Sequence, residues 1–267
     1  MDTRDDDLMR FEAEGPPALP TEVAGHIEND GAHIWYARYG AGPAVVLLHG
    51  GLGNAGNWGF QVPALVAAGY QVIVIDSRGH GRSTRDDQPY SYELMGSDVL
   101  TVLDEVRVQR AAIVGWSDGA CVGLILARQV PERISGVLFF ACNMDPSGTL
   151  PFVLTPVIER CFSRHQKDYA ALSATPGAFQ RFVDAVSLMQ QTQPNYSTAD
   201  LAEITVPVTV ALGEGDEFIK PEHADYLARS IAKARRVTLP GVTHFAPVQR
   251  PAVFNEAVLE FLAALPA

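Results

Sequence analysis

Six short apolar runs, set apart by stretches of helical spacing, constrain this chain more than any other feature. They are residues 44–48 (AVVLL), 71–75 (QVIVI), 111–114 (AAIV), 136–140 (GVLFF), 206–212 (VPVTVAL) and 236–239 (RVTL). Runs this brief, apolar on successive positions rather than alternate ones, are strands buried on both faces. Helical stretches lie between them at residues 61–68, 91–108, 117–129, 222–232 and 252–264. In the second of these, Leu94, Val99, Val102, Leu103 and Val106 fall on one helical face. Such alternation predicts an α/β fold: a mostly parallel sheet with helices on both sides. Ahead of it, Asn29-Asp30-Gly31 precedes the alternating run His33-Ile34-Trp35-Tyr36-Ala37-Arg38-Tyr39. That pattern predicts an antiparallel hairpin at the sheet's entrance.

Two segments stand outside the alternation. Residues 1–20 are acidic and end among prolines, and we expect a mobile N-terminal segment there. Residues 145–200 hold no buried-strand run but two helical patterns, near 155–172 and 176–191. An insertion of this length is expected to be a helical cap or lid. The core then comprises residues 21–144 and 201–267.

The 267 residues carry a net charge of −11, which argues against nucleic acid as a partner. No run reaches the roughly 20 apolar residues that span a bilayer, and the charged first ten residues lack a signal peptide's apolar stretch. A soluble cytoplasmic protein, monomer or homodimer, is the default expectation. Cys121, Cys142 and Cys161 show no metal-ligand spacing and read as buried thiols.

The chemistry begins at Gly115-Trp116-Ser117-Asp118-Gly119, directly after one predicted strand and opening a helix. This is G-x-S-x-G in the context that gives it meaning: a tight turn presenting a serine above the strand ends. A serine hydroxyl is a weak nucleophile near neutral pH and needs a base. His244 follows the last predicted strand, and Asp216 follows the strand before it, in Gly213-Glu214-Gly215-Asp216. The order Ser, acid, His suits Ser117 as nucleophile, Asp216 as orienting acid and His244 as base. Glu214, Glu217 and Asp145 compete for the acid's place.

Acyl transfer also requires donors for a developing oxyanion. His49-Gly50-Gly51-Leu52-Gly53 follows the first buried strand. The N–H of Gly51, or of Leu52 one residue along, is expected to be one donor and that of Asp118 the other. Asp76-Ser77-Arg78-Gly79-His80-Gly81-Arg82-Ser83 reads as structural turn chemistry with buried charge pairing. Leu52, Trp116, Asn143, Met144 and Phe245 are expected to wall a mostly apolar substrate pocket. The Asp118 side chain has two readings: facing the pocket to pair with a cationic substrate, or turned inward to backbone or arginine.

Together these motifs, in this order from about His26 to Ala264, resemble the α/β-hydrolase superfamily. The Trp-Ser-Asp-Gly elbow is similar to that of valacyclovir-hydrolase-like esterases, with relatives among enol-lactonases and carbon–carbon bond hydrolases. The resemblance implies an eight-stranded sheet, a cap after the sixth strand and no cofactor. A serine nucleophile speaks against haloalkane dehalogenase or epoxide hydrolase chemistry. The expected activity is hydrolysis of a small-to-medium carboxylic ester. A lactonase or carbon–carbon bond hydrolase with the same triad is the alternative, and a non-catalytic ligand-binding protein is a third reading.

Overall fold

The computed structural model describes residues 6–20 and 23–266. Its strands are β1 (Val23–Asn29), β2 (Ala32–Tyr39), β3 (Ala44–Leu48), β4 (Gln71–Ile75), β5 (Ala111–Trp116), β6 (Ile134–Phe140), β7 (Val208–Gly213) and β8 (Ala234–Leu239). They form one eight-stranded sheet in the order β1-β2-β4-β3-β5-β6-β7-β8. β1, β2 and β4 pair antiparallel and the rest parallel. The entrance hairpin turns at Asp30 and Gly31, both at positive φ (42° and 75°), the conformation an Asp-Gly turn supplies. Every residue of β5 and β7 is buried, the burial their sequences predict for strands covered on both faces.

The helices are α1 (Asp6–Glu14), α2 (Gln61–Ala67), α3 (Tyr92–Glu105), α4 (Asp118–Gln129), α5 (Pro156–Leu172), α6 (Phe179–Thr192), α7 (Thr198–Ala202), α8 (Pro221–Ser230), α9 (Ala246–Gln249) and α10 (Pro251–Ala263). α4 packs on β5 and β6 and beside α3; α8 packs on β7 and β8. α5, α6 and α7 lie between β6 and β7 in sequence, in the stretch expected to leave the sheet. No helix among the described residues is long and apolar enough to cross a membrane.

The N-terminal stretch departs from expectation. Residues 1–5 and 21–22 fall outside the described residues, but Asp6–Glu14 is helical rather than a loose segment. Leu8 and Phe11, three apart and so on one face, are fully or almost fully buried. α1 packs against α5 and α9, so the apolar pair outweighs the acidic composition around it.

The polar turn after β4 holds the sheet's entrance together. Asp76 is wholly buried and accepts the Ala55 N–H at 2.6 Å, the Arg82 N–H at 2.8 Å and the Arg82 guanidinium at 2.6 Å. Arg78, 1% exposed, makes a two-pronged pair with Asp98 of α3 (3.1 and 2.6 Å). It also donates to the Asn29 and Asp30 carbonyls of the hairpin. Removing Asp98 takes away the close carboxylate and leaves the buried guanidinium only the two carbonyls and Asp86, 3.8 Å away. Asp98→Ala is therefore expected to cost about 3–5 kcal/mol in urea unfolding; an unchanged midpoint would refute the pairing's structural role.

Candidate active site

Ser117 sits between β5 and α4 with φ 52° and ψ −122°. This is a strained conformation for a residue with a side chain, and it persists only where surroundings enforce it. They do so here. The Ser117 N–H donates to the Phe140 carbonyl at 2.8 Å, and its own carbonyl accepts from Ala120 at 2.7 Å. The flanking glycines permit the approach of strand and helix. A Cβ on Gly115 would lie 2.4 Å from the Ala120 Cα, and one on Gly119 2.2 Å from the Leu48 carbonyl oxygen.

Ser117 lines a cavity of about 1180 Å³ that His244 also lines. That volume is at or above the upper end of ordinary ligand sites. His244 lies on the loop between β8 and α9, its ring buried with the Phe218 ring edge-on at 4.6 Å. Its Nδ1 is 3.0 Å from Asp216 Oδ2. Asp216 is itself held: its Oδ1 accepts the N–H groups of Phe218 and Ile219, both at 2.9 Å. Burial alone would lower the His244 pKa. The carboxylates of Asp216, Glu217 and Asp118 outweigh that and raise it above the ordinary value.

The competing acids are engaged elsewhere. Glu217 Oε2 accepts the backbone N–H of His244 at 3.0 Å rather than its ring. Glu214 accepts the Gly241 N–H. Asp145 bonds to Ser147 and lies 3.8 Å from His223.

The loop after β3 lies against the elbow. A Cβ on Gly50 would stand 3.1 Å from that of Ser117, and one on Gly51 2.7 Å from Asp118 Oδ2. Leu52 takes a positive φ of 64° and the Gly53 N–H closes a turn onto the Gly50 carbonyl at 3.1 Å. Asp118 is the first residue of α4, where a backbone N–H has no intrahelical acceptor. His49 is structural: its Nε2 accepts the Ser77 N–H at 3.0 Å, so its Nδ1 donates to the Gly50 carbonyl at 2.8 Å.

The Asp118 side chain follows neither reading drawn from sequence. Its carboxylate lies at the cavity wall but is occupied by side chains. Oδ1 accepts from the Tyr92 hydroxyl at 2.9 Å and from Gln190 at 3.1 Å, and Oδ2 from Gln190 at 3.1 Å. Among the described residues, neither an arginine nor a backbone group is its partner. Burial raises its pKa, partly offset by the bonds from Tyr92 and Gln190.

Leu52, Trp116, Asn143 and Phe245 line the cavity; Met144 does not, which corrects the expectation for it. Met144 is fully buried. Its N–H donates to His223 at 3.1 Å and its carbonyl accepts from Tyr196 at 2.8 Å. Pinned on both sides, its side chain enters the core. Sequence reasoning missed Tyr92, Cys142, Gln190 and Ile219 as lining residues. Only Tyr92 carries a signal, as a large residue at the start of an amphipathic helix. Among the described residues, no lysine or arginine lines the cavity, while Asp118 and Glu159 do.

Residues 45–257 match the model of the family described as alpha/beta hydrolase. The chain is similar to a protein of Azorhizobium caulinodans that carries the name carbamate hydrolase RutD. The two are 28% identical, and the match covers 86% of this chain and 95% of that one. It is 32% identical to rhodomycin D methylesterase DnrP of Streptomyces peucetius, over 86% of this chain and 75% of that one. Among solved structures, the enol-lactonase from Burkholderia xenovorans superposes with a TM-score of 0.71. It is 25% identical, and the match covers 90% of this chain and 100% of that one.

Proposed function

The chain belongs to the alpha/beta hydrolase family, and from that premise we propose that it is a serine hydrolase cleaving an uncharged carboxylic ester. The observation that carries the reading is the 3.0 Å contact of His244 Nδ1 with Asp216, beside a cavity that His244 shares with Ser117.

The reaction runs in two halves. Ser117 Oγ attacks the ester carbonyl as His244 Nε2 takes its proton. The N–H groups of Gly51 and Asp118 hold the oxyanion. The tetrahedral intermediate collapses, the alkoxide leaves with the proton from His244, and the acyl group stays on Ser117. Water, deprotonated by His244, then attacks that acyl group, and the acid is released as Ser117 Oγ takes the proton back from His244. Asp216 fixes the imidazole's orientation and stabilises its cation throughout. Residues 145–200 act as a cap over the site, with Leu52, Trp116, Asn143 and Phe245 forming part of the substrate wall. The absence of lysine and arginine among the described lining residues favours uncharged substrates over anionic ones.

His244 must be neutral to accept a proton, and its pKa is raised in the folded protein. Activity is therefore expected to grow with pH, with kcat/KM rising through a midpoint above the ordinary histidine value. A pH profile with its acid limb well below that value would contradict the assignment of the base. The same triad suits a lactone or a carbon–carbon bond. Rates on a p-nitrophenyl ester, an acyl lactone and a vinylogous diketone separate these reactions, and a preference for either of the latter would displace the ester.

A further inference from the structure

Five histidines are buried among the described residues: His49, His80, His165, His223 and His244. Four have hydrogen-bond partners. His49 engages Gly50 and Ser77, His80 the Arg78 carbonyl, His223 the Met144 N–H and His244 Asp216. His165 is different. It is 5% exposed, and its Nδ1 is enclosed with no hydrogen-bond partner among the described residues. It occupies a position in the buried face of α5, with Ile158, Cys161 and Tyr169, and its ring meets the Phe11 ring edge-on at 6.1 Å. A buried imidazole lacking partners carries a desolvation cost that a leucine would not.

The cavity supplies a reason for it. His165 lines the space that Ser117 lines, but from the helical insertion rather than from the loops of the elbow. Nδ1 is enclosed, so any hydrogen bond from this ring into the cavity has to come from Nε2. The ring is neutral: burial, with His49 and Arg164 nearby, pushes its pKa down to about 3. A neutral imidazole carries one N–H. Since Nδ1 bonds to nothing either way, placing that hydrogen on Nε2 forfeits no contact.

We infer that His165 forms a second recognition point in the cavity, donating from Nε2 to an uncharged oxygen of the substrate other than the reacting carbonyl. The ligand chemistry is an ether, hydroxyl or second carbonyl oxygen. A carboxylate is disfavoured, because neither the neutral ring nor any lysine or arginine among the described lining residues compensates its charge. This inference rests on the ester-hydrolase reading for its substrate, but its test does not depend on turnover.

The probes are p-nitrophenyl octanoate and the isosteric esters in which an ether oxygen replaces, in turn, each chain methylene beyond the one next to the carbonyl. Binding is read on the Ser117→Ala protein through the change in tryptophan fluorescence, to which Trp116 in the cavity wall contributes. One ether position is expected to bind about three- to tenfold more tightly than octanoate, as one uncharged hydrogen bond supplies. The advantage should vanish in Ser117→Ala/His165→Leu and return in part with His165→Gln, which restores an N–H donor. Circular dichroism checks that each variant folds. Equal binding of all the esters overturns the inference, as does an ether preference that survives His165→Leu. If the preference appears and depends on His165 while the unmutated protein cleaves none of the esters, the recognition point stands and the ester-hydrolase reading falls.

Discussion

Ser117→Ala is expected to lower kcat/KM on a reactive p-nitrophenyl ester by about 10⁴-fold or more, with thermal unfolding little changed. The change removes a single oxygen. Alanine meets the same positive-φ constraint as serine, so the strained turn between β5 and α4 is not made worse. Its supporting contacts are backbone ones: Ser117 N–H to Phe140 and Ala120 N–H to Ser117. A fluorophosphonate probe should label the unmutated protein and leave the variant unlabelled. Full activity in the variant would remove Ser117 as nucleophile, and an unlabelled unmutated protein would revive the reading as a ligand-binding protein.

Asp216→Asn should cost about 10³- to 10⁴-fold in kcat. Asparagine keeps an oxygen for the N–H groups of Phe218 and Ile219, so the loop is expected to hold its shape. What disappears is the charge beside His244 Nδ1. That charge is the foremost of the influences raising the imidazole's pKa, so the acid limb of the pH profile moves down as the rate falls. The paired readout separates this role from simple misfolding, which lowers the rate without moving the limb. Glu217 remains against the His244 backbone. Unimpaired catalysis in Asp216→Asn would mean that Asp216 is not the orienting acid.

Much of this architecture is legible in the sequence because it rests on local periodicity. The apolar runs at 44–48 and 71–75 coincide with β3 and β4, since a strand buried on both faces has no alternation to obscure it. The elbow is legible for a related reason: Gly115 and Gly119 stand where a Cβ would meet backbone, so the motif records a steric demand. α1 was harder to see. Its composition is that of a solvated tail, and only the Leu8 and Phe11 pair betrays a packed face.

The details at the cavity wall depended on distance rather than spacing. Asn143 and Met144 are neighbours in sequence, yet one lines the cavity and the other is buried behind it. The difference comes from His223 and Tyr196, far along the chain, which hold the Met144 backbone. Gln190, on α6, reaches Asp118 across 72 positions, and nothing in either local pattern foretells the contact. His165 looks in sequence like any helical histidine.

By itself, then, the sequence determined the layered α/β sheet, the tight turn at Ser117 and the chain order of serine, acid and histidine. The first two follow from apolar burial or backbone sterics acting over a few residues, and the order is read directly along the chain. Only the tertiary structure decided which carboxylate meets the His244 ring, where the Asp118 side chain points and which imidazole is left unpartnered at the cavity. Hydrogen bonds act over about 3 Å, and folding alone brings such groups that close.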